Sequence, residues 1–132
     1  MMVLFAKSRL GAEELMTRTR GLDALVLDPS ITESNEELEL SFHLAKKSLL
    51  KKSSLAKKLK YEFLLWLTGK TDIKSALKKS APKNADDLLI VLFSGKEEHV
   101  LKTLGAKEKR KSLKKEADAL RLEEISLSRI RN

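Results

Sequence analysis

The residues of this chain best suited to chemistry are its lysines. After Glu39 no acidic residue appears until Glu62, and the gap holds Lys46, Lys47, Lys51, Lys52, Lys57, Lys58 and Lys60. A second block, residues 107–115, has six basic residues in nine with one acid. Like-sign blocks of this kind neutralise the phosphates of a nucleic-acid backbone and bind it without reading sequence. They also form solvated faces or meet acidic proteins, so charge alone leaves three readings open. Two aromatic residues lie close by. Trp66 has apolar neighbours at helical spacing and reads as a core residue rather than a base-stacking platform. Tyr61, between Lys60 and Glu62, is the better stacking candidate.

Other chemistries find little support. There is no cysteine, which excludes disulfides, thiolate metal sites and cysteine nucleophiles. The two histidines, His43 and His99, are too few for most histidine-built sites, and neither has a Ser or Asp partner at a suitable spacing. Gly69-Lys70-Thr71 echoes the end of a phosphate-binding loop, but Leu64 stands where the first loop glycine belongs. Asp86-Asp87 reads as turn chemistry before a strand, and Glu123-Glu124 as solvated helix surface. The reading is therefore a binding protein and not an enzyme, with no catalytic residues, no metal, no cofactor and no small-molecule substrate.

The elements that position the lysines follow from periodicity and caps. The chain has 132 residues and a formal charge of +8. That length suits a single domain over 1–132, able to bury roughly 68–70% of its unfolded surface. Residues 3–7 read as an edge strand, 12–19 as a short helix, and 25–27 as a strand stopped by Asp28-Pro29. Ser34 and Glu37 form a capping box. The helix they start places Leu38, Phe42, Ala45 and Leu49 on one face. Leu55, Leu59, Phe63, Trp66 and Leu67 suggest the next helix, with a strand over 63–67 as its competitor; Gly69 at the C′ position favours helix. Thr71 can cap a following helix bearing Ile73, Ala76 and Leu77.

Residues 88–93 (LLIVLF) make the best strand, non-alternating and so covered on both faces. Ser94 and Glu97 offer a second capping box for a helix with Val100, Leu101 and Leu104. A last helix is expected from Leu113, Ala117, Leu120, Leu127 and Ile130. The fold class is α/β: a small sheet with a central strand at 88–93, packed by several helices, helix-rich overall. The longest apolar run is far below the ~20 residues of a membrane span, and the first residues lack the pattern of a signal peptide, so a cytoplasmic protein with no membrane partner is expected.

The stretch LAKKLKYEFLLWLTGKTDIKSALKKSA resembles the small accessory subunit of the archaeal and eukaryotic KEOPS complex, the partner of its kinase-like subunit. In that family a lysine-rich helix leads to an apolar run, then a small hydroxyl residue and Gly, then an Ile-x-x-Ala-[IL] helix. Here these are residues 63–67, Thr68-Gly69, and Ile73-Lys74-Ser75-Ala76-Leu77. The strand near Leu25, the helix to Leu49, the strand at 88–93, the helix ending in Leu104-Gly105 and the final apolar helix also fit. Family members carry Arg two positions after the motif Gly, where this chain has Thr71.

The resemblance implies a non-catalytic subunit of the machinery that places threonylcarbamoyl on the adenosine beside the anticodon of tRNA. Such a subunit binds the kinase-like subunit and captures the 3′ CCA end of tRNA. On this reading Lys51, Lys52, Lys57, Lys58 and Lys60 contact phosphates. Thr68, Gly69 and Lys70 lie at a helix junction whose free N–H groups hold a terminal nucleotide. Leu120, Ile125 and Leu127 face the kinase-like partner. The rival reading is a small basic protein-interaction module without a specific RNA role.

Overall fold

The structure, a computed structural model, describes residues 1–131. The chain has an α/β fold with one four-stranded antiparallel sheet and six α-helices among the described residues. Its elements are β1 (Met2–Ser8), α1 (Ala12–Arg20), β2 (Ala24–Leu27), α2 (Asn35–Leu50), α3 (Leu59–Thr68), α4 (Ile73–Ser80), β3 (Leu88–Leu92), α5 (Glu97–Thr103), β4 (Ala106–Lys109) and α6 (Ala119–Arg131). A 3₁₀ turn, Pro29–Ile31, follows β2. Contacts gather these elements into two compact units. A sheet unit comprises 1–29 and 81–112, and a helical unit comprises 30–80 and 113–131.

In the sheet unit the strand order is β2-β3-β1-β4. β3 is interior and all five of its residues are buried, as its unbroken apolar run requires. The 3–7 segment is also interior, not an edge strand, because β1 pairs with both β3 and β4. β4 was not visible in the sequence. Its residues AKEK carry no apolar alternation, and it occupies the edge, where charged side chains block further strand pairing. One face of the sheet packs Leu4, Ala6, Ala24, Val26, Leu88, Ile90 and Leu92 against Leu15 of α1, Val100 of α5 and Leu104 just after it. The Ser94 capping box does not form. Ser94 Oγ donates to Asp23 Oδ2 (2.7 Å), and α5 starts after Lys96 with no side-chain cap.

The helical unit holds α2, α3, α4 and α6. The Ser34 capping box is present: Glu37 N–H donates to Ser34 Oγ (3.3 Å), and Ser34 Oγ donates to Glu37 Oε2 (2.8 Å). The buried stripe of α2 is displaced from the apolar one read in the sequence. Glu37, Leu38, Ser41, Ala45 and Ser48 are buried, while Phe42 and Leu49 are only half-buried. The 63–67 run is helical, closed by Gly69 at φ 72° with its N–H on Leu65 O (3.0 Å). That left-handed φ suits glycine, and a Cβ there would lie 3.8 Å from Ser128 Cβ. α4 is capped by Asp72, not Thr71: its Oδ1 accepts from Ser75 N–H at 2.8 Å. The last helix begins at Ala119, so Leu113 and Ala117 precede it; Lys114 is hydrogen-bonded to Glu33 and Asn35 instead.

Candidate nucleic-acid interface

The lysines of the first block lie on the end of α2 and on the 51–58 loop that joins it to α3. Lys46, Lys47, Lys51, Lys52, Lys57 and Lys58 are exposed, and none forms an ion pair among the described residues. Lys46, Lys47 and Lys51 border a shallow cavity of about 370 Å³ with His43 and Leu50. Lys60 differs: it is 3% exposed, with its Nζ 5.1 Å from the centre of the Tyr61 ring. In this conformation Lys60 is not presented to a phosphate. A solvated lysine and a buried one look alike in sequence; Lys60 follows Leu59 into the first turn of an apolar helix, which was the available signal.

A buried carboxylate shapes the lysine-bearing loop. Glu62 has no exposed surface. Its Oε1 accepts the N–H groups of Leu55 and Ala56, both at 3.0 Å, and its Oε2 accepts from Ser48 Oγ at 2.5 Å. Arg129 of α6 completes the environment, with Nη2 2.7 Å from Glu62 Oε2, though its N–H is not aimed along the contact. The Arg129 guanidinium also stacks on Trp66, 4.0 Å from the ring centre. That face of Trp66 is therefore occupied by a cation, in keeping with a structural tryptophan. Burial pushes the Glu62 carboxyl up, but the hydrogen bonds from Ser48 and Ala56 and the positive charge of Arg129 outweigh it and hold the group below the usual carboxylate range.

Thr68, Gly69 and Lys70 sit at the opposite end of α3, about 15 Å along the axis of this ten-residue helix. Thr68 is buried and donates its hydroxyl to Leu64 O (2.8 Å), while Lys70 is exposed. Two further cations serve this corner. Lys79 Nζ donates to Thr68 O (2.9 Å) and Arg121 Nη2 to Leu67 O (3.0 Å). Both compensate the negative end of the α3 dipole. Partial burial, with Lys70 and Arg121 nearby, holds the Lys79 ammonium below the usual lysine range. The start of α4 already receives the Asp72 carboxylate, which hydrogen bonds from Ser75 keep ionised below its ordinary pKa. An acceptor there competes with a phosphate for the same N–H groups.

The proposed partner face on α6 divides. Ile125 is 1% exposed, Leu127 is half-buried, and Leu120 is 62% exposed. The inward stripe of α6 is Arg121, Ile125 and Arg129, spaced by four, with Ile125 buried and the two arginines half-buried. Arg121 Nε donates to Glu37 Oε1 at 2.9 Å, two turns from the Arg129–Glu62 pair. Two arginines were thus missed, because charged side chains do not register in an apolar periodicity.

The second basic block behaves differently. Lys111 Nζ lies 3.1 Å and Lys109 Nζ 3.8 Å from Asp87 Oδ1, and Lys109 also donates to Asp86 O (2.7 Å). Part of its charge is spent on the Asp86-Asp87 turn. No protein family and no curated protein matches the chain.

Proposed function

We propose that this chain is a non-catalytic tRNA-recruiting subunit, of the kind that serves the KEOPS kinase-like subunit in threonylcarbamoyl modification of tRNA. The observation that carries the RNA part is the set of six exposed lysines without acidic partners on the end of α2 and the 51–58 loop. Cations left unpaired on an ordered loop neutralise a phosphate backbone without reorganisation. Glu62 supplies the order by holding the loop amides at Leu55 and Ala56. The succession of elements supports the family part. It runs from a strand near Leu25 through the helix to Leu49, the glycine-capped α3, α4 and β3 to a helix ending at Leu104-Gly105 and a final helix. Lys51, Lys52, Lys57 and Lys58 are the phosphate contacts in this reading, joined by Lys46 and Lys47. Lys70 is the exposed cation at the far end of α3. Docking on the kinase-like partner falls to exposed apolar residues of α6, Leu120 and Ile130.

The test is titration with intact tRNA and with the same tRNA lacking its 3′ CCA, at two salt concentrations. Loss of binding on trimming supports end capture. Equal binding to both, collapsing at high salt, reduces the function to a polyanion surface. A triple reversal, Lys51, Lys57 and Lys58 to Glu, should lower affinity and flatten the salt dependence by roughly three phosphate contacts. Unchanged affinity and slope would remove those residues from the interface.

A second reading is favoured by Leu50 (85% exposed) and Leu55 (53% exposed) among the lysines. An acidic protein segment with apolar anchors fits that mixture, and binding that ignores RNA but saturates with one protein would select it.

A further inference from the structure

We propose that the sheet unit carries a second anion site, built for the phosphates of a nucleotide-sized ligand, in a cavity bordered by β1, α5 and β4. The cavity has a volume of about 600 Å³, within the range of small-molecule pockets. Its charged lining is Lys7, Arg9, Lys102 and Lys107 against one carboxylate, Asp86. None of the four cations forms an ion pair among the described residues, whereas their neighbours Lys109 and Lys111 are paired with Asp87. The site lies within the sheet unit and does not rest on the tRNA reading.

Lys7 and Lys107 are direct partners across the antiparallel β1–β4 pair. Like charges directly opposite each other destabilise a strand pair. An anion lying between the two ammonium groups converts that repulsion into attraction, and Arg9 and Lys102 enlarge the same field. Four cations around one cavity match a multiply charged oxyanion, for which charge-assisted hydrogen bonds are strongest. Leu101 gives the cavity an apolar wall, and Asp86 provides an acceptor for hydroxyl or amino groups, so a nucleoside body has a place beside the phosphates.

The frame is fixed before any ligand arrives. Ser8 is buried; its N–H donates to Ala85 O (2.8 Å) and its hydroxyl to Leu104 O (2.6 Å), and its Oγ accepts from Leu10 N–H (3.0 Å). These bonds tie the end of β1 to the end of α5 and to the turn before β3. Gly105, at φ 57°, lies under Arg9: a Cβ there would stand 3.3 Å from Arg9 Nε and from Leu10 Cγ.

Calorimetric titration of the full chain with ADP and with inorganic pyrophosphate tests the site. Saturable binding of both, tighter for ADP, is expected. Equal affinity overturns the nucleotide assignment, and failure of both to saturate overturns the site. Lys107→Glu should weaken ADP binding about tenfold or more. The same variant should raise Tm in the absence of any anion, since it replaces cross-strand repulsion by attraction; that gain also reports that the variant is folded. Lys57→Glu, on the other unit, should bind ADP as the wild type does. A Lys107→Glu protein that binds ADP normally, or that shows no rise in Tm, refutes the proposal.

Discussion

A section through the centre of the sheet unit meets hydrocarbon: Leu4, Val26, Ile90, Val100 and Leu104. A section through the helical unit meets Leu38, Phe63 and Leu67, and among them Glu37, Glu62, Ser41 and Ser48 without exposed surface or nearly so. The first interior is stabilised by area removed from water, which has no direction and tolerates exchange of one apolar shape for another. The second depends on partners. Each buried carboxylate is matched by one arginine of α6, Glu37 by Arg121 and Glu62 by Arg129. A buried pair adds little against a well-packed apolar substitute, but losing one member leaves a charge that nothing compensates. Each unit takes its specificity from a different source. Packing selects the sheet face, whereas two ion pairs eight residues apart select the register of α6 on α2 and α3.

The strongest test of this contrast is removal of Glu62. Glu62→Ala strands Arg129 beside Trp66 and releases the Leu55 and Ala56 amides, at a cost of about 3–5 kcal/mol in denaturant unfolding. It should also weaken tRNA binding, because the lysine loop loses its anchor. A cost below about 1 kcal/mol would mean that the pair does not organise the unit. Ile90→Ala in the sheet unit should cost about 2–4 kcal/mol through the cavity it opens, with no dependence on salt or pH near neutrality.

Acid acts on the two interiors unequally. Both Glu37 and Glu62 are held below the usual carboxylate range in the native state, so the unfolded chain binds more protons at low pH. Their contribution is complete above the unfolded carboxylate pKa of about 4.3 and disappears as pH falls through the lower native values. Hydrogen exchange at pH 7 and under acid should show protection falling earlier in α2, α3 and α6 than in β1 and β3. Equal losses would abolish the distinction. At the small end, Ser34→Ala should cost about 1 kcal/mol as the α2 cap and a donor to Glu37 are lost together.

The same contrast explains what could be read in the sequence. β3, α1, the Ser34 capping box and the glycine end of α3 rest on local signals: an apolar run, a cap residue, a left-handed glycine. The buried stripe of α2 does not, because Ser41 and Ser48 are buried by virtue of what they bond to, not by their hydropathy. β4 escaped for a related reason. Its pairing partner β1 lies about a hundred residues away in the chain, and an edge strand reading AKEK carries no pattern of its own. Among the candidate interface residues, Lys51, Lys52, Lys57, Lys58 and Lys70 lie at the surface where charge runs are expected. Lys60 and Ile125 are inside, since helix phase places them there.

The interleaving of the two units along the chain has a consequence for biosynthesis. Residues 30–80 leave the ribosome carrying Glu37 and Glu62, while the arginines that match them come from the last described helix. At roughly 5–20 residues per second, Glu62 waits several seconds for Arg129. During that interval the nascent helices have reason to keep both carboxylates in water. The helical unit therefore closes late, as an act of completion by α6, and a chain halted before Arg121 should remain open and be an early target for proteolysis.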